Sequence, residues 1–115
     1  PSHPFLKRKS KDLACEGAWS VVLASGGGHV DHIHPKGWIS ASYYVQVPDE
    51  VLAGEKPGFL RLGATGLAGV DLAAERWFKP EAGAVVFFPS YMWHGVEPFQ
   101  SARPRITAPF DLAPR

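Results

Sequence analysis

The amino-acid sequence predicts an all-β fold, a jelly roll made of two sheets with about eight strands. Short runs of β-branched and aromatic residues follow one another from Ala18 onward. The chain has 12 glycines and 11 prolines, and they separate these runs. Only Val70–Glu75 has helical character, and this stretch is too short to be stable without tertiary contacts. A jelly roll suits this pattern because its two sheets protect most strand edges.

The predicted elements follow in chain order. Residues 1–17 carry several basic side chains with little periodicity, so we expect an N-terminal arm. Residues 18–115 are predicted to form one domain, because a chain of 115 residues, 45% of them apolar, suffices for a single core. The predicted strands are Trp19–Ala24, His29–His34, Ile39–Val47, Gly58–Leu62, Arg76–Lys79, Ala84–Phe88, Met92–Glu97 and Arg105–Leu112.

The composition argues against several classes of partner. Twelve basic and eleven acidic residues give a net charge of +1, which is too small to indicate nucleic acid or an anionic membrane. No apolar run approaches the roughly 20 residues of a membrane-spanning helix. Cys15 is the single cysteine and cannot form an internal disulfide, so we expect a reducing, cytoplasmic location. The expected partner is a small-molecule or peptide substrate, and the sequence leaves homo-oligomerisation open.

Four of the five histidines lie in two groups that have the spacing of metal ligands. In a strand His32 and His34 share one face, whereas His29 and Asp31 share the other. Either pair could join His94. The pair of His29 and Asp31 would give a two-histidine, one-carboxylate site suited to Fe(II), and the pair of His32 and His34 would give a three-histidine site.

Position favours His32 and His34 as the metal-binding pair. Three glycines at residues 26–28 precede His29 and make its backbone flexible, whereas the rigid Pro35 follows His34. Metal ligands require accurate placement, which a regular strand provides better than a glycine turn. Imidazole binds Fe, Zn, Cu and Ni, so the ligands alone leave the metal open. Asp31 and Glu97 are the nearest carboxylates that could bind the metal or accept a hydrogen bond from a ligand.

Several motifs, taken in order, resemble those of a family of 2-oxoglutarate- and Fe(II)-dependent oxygenases, in its prolyl-hydroxylase-like branch. The resemblance covers about residues 18–112. Its motifs are Trp19-Ser-Val-Val-Leu, His32-Ile-His34-Pro35-Lys-Gly37-Trp38-Ile-Ser40, Tyr43-Tyr44-Val45, Phe88-Pro89-Ser90-Tyr-Met-Trp93-His94-Gly95 and Arg105-Ile106-Thr107. The resemblance implies a double-stranded β-helix with Fe(II) bound by His32, His34 and His94. The chain departs from the pattern of the wider superfamily, which is His-x-Asp/Glu followed by a distant His, because His34 stands at the carboxylate position.

Polar side chains share one face of the predicted strand Ile39–Val47, among them Ser42 and Tyr44, and Arg103, Arg105 and Thr107 share one face of the last strand. We interpret these faces as lining the interior of the barrel, where the co-substrate 2-oxoglutarate would bind. Arg105 would bind the distal carboxylate with its planar guanidinium, and Tyr44, Thr107 or Ser42 would donate hydrogen bonds. Arg103 is the alternative, since it shares a strand face with Arg105. The competing interpretation is that these polar faces contact solvent, as in an ordinary antiparallel sandwich.

The resulting hypothesis is a dioxygenase that uses Fe(II), 2-oxoglutarate and O₂ to hydroxylate an unidentified substrate. The His-x-His spacing also resembles the cupin signature, so a three-histidine enzyme that does not use 2-oxoglutarate, a dioxygenase or an isomerase, is an alternative. A barrel that binds a small ligand or a metal without catalysis is another. Substrate choice is expected to depend on the loops Pro48–Pro57 and Ala64–Ala74, whose composition is that of ordinary turns.

Overall fold

Two antiparallel sheets form the protein in the computed structural model, which describes residues 3–64 and 76–115. The strands of these residues are β1 (Leu13–Ala18), β2 (Val21–Leu23), β3 (His29–His32), β4 (Ile39–Gln46), β5 (Leu60–Leu62), β6 (Arg76–Phe78), β7 (Val85–Pro89), β8 (His94–Val96) and β9 (Arg105–Pro114). Two short helices, α1 (Pro4–Lys7) and α2 (Asp49–Ala53), accompany them. Neither helix is long and apolar enough to cross a membrane.

The larger sheet has the order β1-β9-β4-β7, with β2 also paired to β9, and the smaller has the order β3-β8-β5-β6. Sequence neighbours are thus distributed over two facing sheets, which is the double-stranded β-helix that the sequence predicts. Strand β9 is the centre of the larger sheet, because it pairs with β1, β2 and β4. The prediction of an all-β jelly roll is confirmed, and each of the eight predicted strands is present.

Strand β1 was not predicted, and it lies almost entirely in the segment expected to be an arm. It pairs with β9 from Leu13 opposite Pro114 to Ala18 opposite Phe110. Its sequence, Leu-Ala-Cys-Glu-Gly-Ala, has weak strand propensity and no alternation, and most of its side chains are exposed. Pairing with a long neighbouring strand therefore forms β1, and the sequence of the segment gives no signal for it. The predicted helical stretch Val70–Glu75 and most of the loop Ala64–Ala74 lie outside the described residues.

The apolar core lies between the sheets and borders a cavity. One cluster of buried side chains consists of Leu23, Val51, Phe59, Val96 and Phe99, and a second consists of Leu60, Leu62 and Phe88. Burial of each such side chain stabilises the fold by about 1.5–3 kcal/mol. Leu60, Phe88 and Val96 also line the cavity that contains the polar residues described next. The cavity is therefore bounded partly by the apolar core and partly by polar side chains.

Candidate metal centre and cavity

Three histidines meet in the cavity between the sheets. His32 ends β3, His94 begins β8, and the two residues are directly opposite each other in the strand pairing. His34 follows β3, and its backbone N–H donates a hydrogen bond to the carbonyl of Ser90 at 3.1 Å. The nitrogen atoms that these three side chains could offer to a metal lie within 4.8 Å of one another. Residues 62 positions apart in the sequence thus form one cluster of potential ligands.

The hydrogen bonds of the three imidazoles orient them for binding a cation. The Nδ1–H of His32 donates to the carbonyl of Val30 at 2.8 Å, and that of His94 donates to the carbonyl of Met92 at 3.1 Å. The Nδ1–H of His34 donates to Oδ2 of Asp111 at 2.7 Å. Because carbonyl and carboxylate oxygens only accept, the proton is on Nδ1 in each ring and the lone pair is on Nε2. The Nε2 atom of His34 is buried without a hydrogen-bond partner among the described residues.

The electrostatics of the cluster keep His94 neutral. The pKa of His94 is lowered to about 4, mainly by burial and also by the neighbouring imidazoles of His32 and His34, while the Met92 carbonyl and Asp111 act in the opposite direction. At neutral pH this ring is therefore uncharged and has a lone pair available. A neutral imidazole is the form that binds a metal ion.

Asp111 connects His34 to a buried chain of hydrogen bonds that the sequence analysis missed. The Oδ1 atom of Asp111 accepts a hydrogen bond from the hydroxyl of Ser40 at 2.7 Å, and the hydroxyl of Ser40 lies 2.8 Å from that of Ser90. All three residues are buried. Asp111 lies on β9 an even number of residues after Arg105, so the alternation that placed Arg105 in the cavity could have identified it. Its carboxylate supports His34 as the outer partner of a metal-binding histidine would.

The two carboxylates that the sequence analysis considered for the metal lie elsewhere. Asp31 accepts a hydrogen bond from Nε of Arg61 at 2.8 Å, and Glu97 accepts one from Nη1 of the same arginine at 2.9 Å. Neither belongs to the histidine cluster. The guanidinium of Arg61 thus engages both carboxylates, and the structure does not bring Asp31 or Glu97 to the histidines.

Arg105 is buried in the same cavity without an acidic partner. Its side chain is 2% exposed, its Nε–H donates to the carbonyl of Gly58 at 3.0 Å, and no acidic residue among those described pairs with it. Its guanidinium carbon lies 5.3 Å from the ring centroid of Tyr44. Burial lowers the pKa of Arg105, but a guanidinium remains charged at neutral pH. Because a buried unpaired cation is unfavourable, this position suits an anionic ligand.

The remaining predicted pocket residues divide between the cavity and the surface. Thr107 and Ser42 line the cavity. Tyr44 is fully buried beside Arg105, and its hydroxyl has no hydrogen-bond partner among the described residues. Arg103 is exposed and donates to Oε1 of Gln46 at 3.0 Å. Strand β9 begins at Arg105, so the strand alternation that predicted Arg103 as an alternative does not extend to it, and Arg103 lies outside the cavity.

Comparisons with known proteins agree with this geometry. The model of a family described as "Putative 2OG-Fe(II) oxygenase" matches residues 17–111. Among solved structures the chain is similar to an oxidoreductase of the 2OG-Fe(II) oxygenase family from Burkholderia pseudomallei, with a TM-score of 0.67 and 12% identity, over 89% of this chain and 45% of that one. It is also similar to a prolyl-4-hydroxylase from Pseudomonas putida, with a TM-score of 0.62 and 20% identity, over 96% of this chain and 57% of that one.

A third similar structure comes from work on Bacillus endospore appendages, which are disulfide-linked pili. Its TM-score is 0.51 and its identity 12%, over 93% of this chain and 92% of that one. At such identities the likeness to solved structures concerns the fold alone. The chain spans about half the length of the Burkholderia and Pseudomonas proteins. No curated protein sequence matches it.

Proposed function

The chain belongs to the 2OG-Fe(II) oxygenase family, and from this premise we propose that it hydroxylates an organic substrate by using Fe(II), 2-oxoglutarate and O₂. The observation that supports the proposal most is the arrangement of one cavity between the sheets. Three histidines with available Nε2 atoms and one buried arginine line this cavity together. A metal ion would bind the Nε2 lone pairs of the histidines, and a carboxylate would neutralise the charge of the arginine.

We propose that His32, His34 and His94 hold the metal through their Nε2 atoms. The fit rests on the unpartnered Nε2 of His34 and on the hydrogen bonds that place each proton on Nδ1. When bound, Fe(II) supplies the chemistry that activates O₂ and couples decarboxylation of 2-oxoglutarate to oxidation of a C–H bond. The protein's own part is to hold the imidazoles neutral and correctly oriented before the ion arrives.

The proposed role of Arg105 is to bind and orient the distal carboxylate of 2-oxoglutarate. A guanidinium binds a carboxylate through two parallel hydrogen bonds, and these are stronger in a buried cavity than in water. Thr107, Ser42 and Tyr44 are the proposed hydrogen-bond donors to the same ligand. With the distal end bound at Arg105, the oxo-acid end would lie toward the three histidines.

The substrate is proposed to approach beside Trp19. This side chain is 40% exposed, it lines the cavity, and its ring stacks on that of His34 with centroids 5.6 Å apart. An exposed aromatic side chain next to a metal ligand suits contact with a small molecule or a peptide segment. We also propose that the protein works in a reducing compartment such as the cytoplasm, since it depends on ferrous iron and has a single cysteine, Cys15.

The direct test is succinate formation. Protein loaded with Fe(II) under anaerobic conditions and then given O₂ and 2-oxoglutarate should release succinate, and His94→Ala should reduce the rate to that of buffer with free iron. His3→Ala is the matched control, because His3 lies outside the cavity on the N-terminal side of α1. Succinate formation that is equal in the two variants would contradict the proposed metal centre.

A second experiment tests the co-substrate by binding alone. Calorimetric titration of metal-loaded protein with 2-oxoglutarate, without O₂, should give a dissociation constant that Arg105→Ala raises by about 100-fold or more, as expected for a charged hydrogen-bonded pair. Arg103→Ala is the matched control, since Arg103 is exposed outside the cavity. An equal effect of the two substitutions would contradict the role of Arg105.

One observation favours a second candidate function, a three-histidine metalloenzyme of the cupin type. The described cluster consists of three imidazoles and includes no carboxylate, so it differs from the two-histidine, one-carboxylate pattern of Fe(II) oxygenases. In this alternative Arg105 would bind the carboxylate of the substrate itself. The same titration separates the two functions, because only the first expects metal-dependent binding of 2-oxoglutarate.

A further inference from the structure

His29 is a fourth histidine of the cavity, and neither the metal cluster nor the proposed function uses it. Strand alternation predicts it on the face of Asp31, away from His32. The structure instead places it in the lining of the cavity, with its ring centroid 5.9 Å from that of His32. None of the described residues forms a hydrogen bond with its ring.

A shift in strand register explains this position. His32 is opposite His94 and His29 is opposite Val96, so three steps along β3 correspond to two steps along β8. The additional residue of β3 interrupts the alternation of faces, as at a β-bulge, and turns both His29 and His32 toward the interior. Bulges are frequent next to active sites, where they redirect a side chain.

The same register places His29 at the end of the cavity where Arg105 lies. Val96 is opposite His29 on one side and opposite Leu60 of β5 on the other. Two residues before Leu60, the carbonyl of Gly58 accepts the Nε–H of Arg105, while the Gly58 N–H donates to the carbonyl of Glu97 at 2.9 Å. His29 and Arg105 therefore belong to the Val96 end of the cavity, whereas His32 and His94 form the metal end.

We propose that His29 is an additional co-substrate-binding residue, which hydrogen-bonds the distal carboxylate of the 2-oxo acid beside Arg105 and thereby selects a dicarboxylate. This inference rests on the proposed function. An imidazole carries at least one N–H in either protonation state, so His29 can donate a hydrogen bond to a carboxylate at this position. A hydrogen bond to a carboxylate is among the stronger ones available in such a site.

The test compares two 2-oxo acids that differ only at the distal end. Metal-loaded protein is titrated without O₂ with 2-oxoglutarate and with 2-oxopentanoate, which lacks the distal carboxylate. His29→Ala should raise the dissociation constant of 2-oxoglutarate about tenfold and leave that of 2-oxopentanoate unchanged. His29→Gln, which retains a hydrogen-bond donor, should recover part of the loss. Val30→Ala is the matched control, because Val30 is the neighbouring side chain on β3 and is exposed.

Three results would overturn the inference. In His29→Ala these are unchanged binding of 2-oxoglutarate, an equal weakening of the binding of both acids, and a loss of metal affinity. The last result would assign the imidazole to the metal centre. Failure of the proposed function gives a different result. In that case wild type would bind 2-oxoglutarate no better than Arg105→Ala does, and both proposals would be withdrawn together.

Discussion

At the scale of single residues, the candidate site depends on a carboxylate outside the histidine cluster. Asp111 accepts the Nδ1–H of His34 in a partly buried contact and the hydroxyl of Ser40 in a buried one. A carboxylate in this position determines which nitrogen of the histidine carries the proton and increases the basicity of the other. The contribution of His34 to metal binding should therefore depend on the charge of Asp111 as well as on its shape.

The first prediction concerns Asp111→Asn, which keeps a hydrogen-bond acceptor but removes the negative charge. We expect the dissociation constant for Fe(II) or Co(II) to rise by about 10- to 100-fold, measured by competition with a chelator. Asp31→Asn is the control, because the carboxylate of Asp31 pairs with Arg61 outside the cluster. Equal metal affinity in the two variants would show that Asp111 does not support the ligand.

The second prediction concerns pH. The pKa of His94 is about 4 in the folded protein and about 6.5 in an unfolded chain, so between these values the unfolded state binds more protons. The free energy of unfolding of the metal-free protein should therefore decrease as pH falls from 6.5 toward 4, by on the order of 3 kcal/mol from this residue. The lowered pKa of His29 acts in the same direction. Urea denaturation with EDTA at several pH values measures the decrease.

His94→Gln is the informative variant for this prediction, since it cannot take up the proton. Its free energy of unfolding should depend less on pH than that of the wild type. A pH dependence that is unchanged by the substitution would mean that other groups cause the acid sensitivity.

Residue spacing predicted part of the site and missed part of it. The two-residue repeat of a strand paired His32 with His34 and equally His29 with Asp31, and the rigid position before Pro35 together with the family resemblance favoured the first pair with His94. The same rule put His29 on the opposite face, and it failed because a register shift between two strands has no signature in one of them. Asp111 shares the strand face of Arg105, but the alternation of β9 does not show which distant side chain it meets, and its contact with His34, 77 residues away, was therefore missed.

At the scale of elements, β8 joins the smaller sheet by pairing with β3 and β5. At its middle position, Gly95, there is no room for a side chain. A Cβ atom at Gly95 would lie 2.6 Å from Oδ1 of Asp31 and 2.8 Å from the carbonyl of His29. Gly95 thus allows β3 to approach β8 closely, next to His94. The pairing that unites the histidines requires this close approach.

The third prediction follows from that contact. Gly95→Ala should reduce the free energy of unfolding by about 1–3 kcal/mol, because the backbone at His29 and the partly buried ion pair of Asp31 and Arg61 would have to move. It should also weaken metal binding, because β3 and β8 both carry candidate ligands. Gly17→Ala on β1 is the control, since a Cβ there would meet only the Trp19 ring at an ordinary 3.6 Å. Equal stability of the two variants by urea denaturation would contradict the packing argument.

Strand prediction succeeded where side chains alternate and failed where pairing alone forms the strand. The segments that became β4 and β9 are rich in β-branched and aromatic residues, so the pattern identified them. Strand β1 carries alanine, glutamate and glycine and lies at the end of the larger sheet. Helices α1 and α2 have four and five residues, which is too short for a periodic signal.

At the scale of the whole molecule, a metal ion would connect parts of the chain that only the folded state brings together. The candidate ligands come from β3, the segment after it and β8, and Asp111 adds β9 through its bond to His34. In the unfolded chain these residues are too distant to bind one ion well. Metal binding should therefore favour the folded state.

The fourth prediction is that metal stabilises the whole domain. At a free metal concentration 100 times the dissociation constant, the stabilisation should be about 2.7 kcal/mol, which corresponds to a rise in Tm of about 10 °C for a domain of this size. Thermal unfolding with and without Co(II) or Zn(II) measures the shift. His94→Ala should show little of it, and a full shift in that variant would place the ion elsewhere.

The central place of β9 has a consequence for biosynthesis. Strands β1, β2 and β4 all pair with residues 105–114, which the ribosome makes after every one of them. Until that segment is available, the edges of β1, β2 and β4 that pair with β9 stay open, and during this interval these edges can associate with other chains. Arg105 and Asp111 arrive on the same segment, so the complete cavity is expected to form only after residues 105–114 have been made.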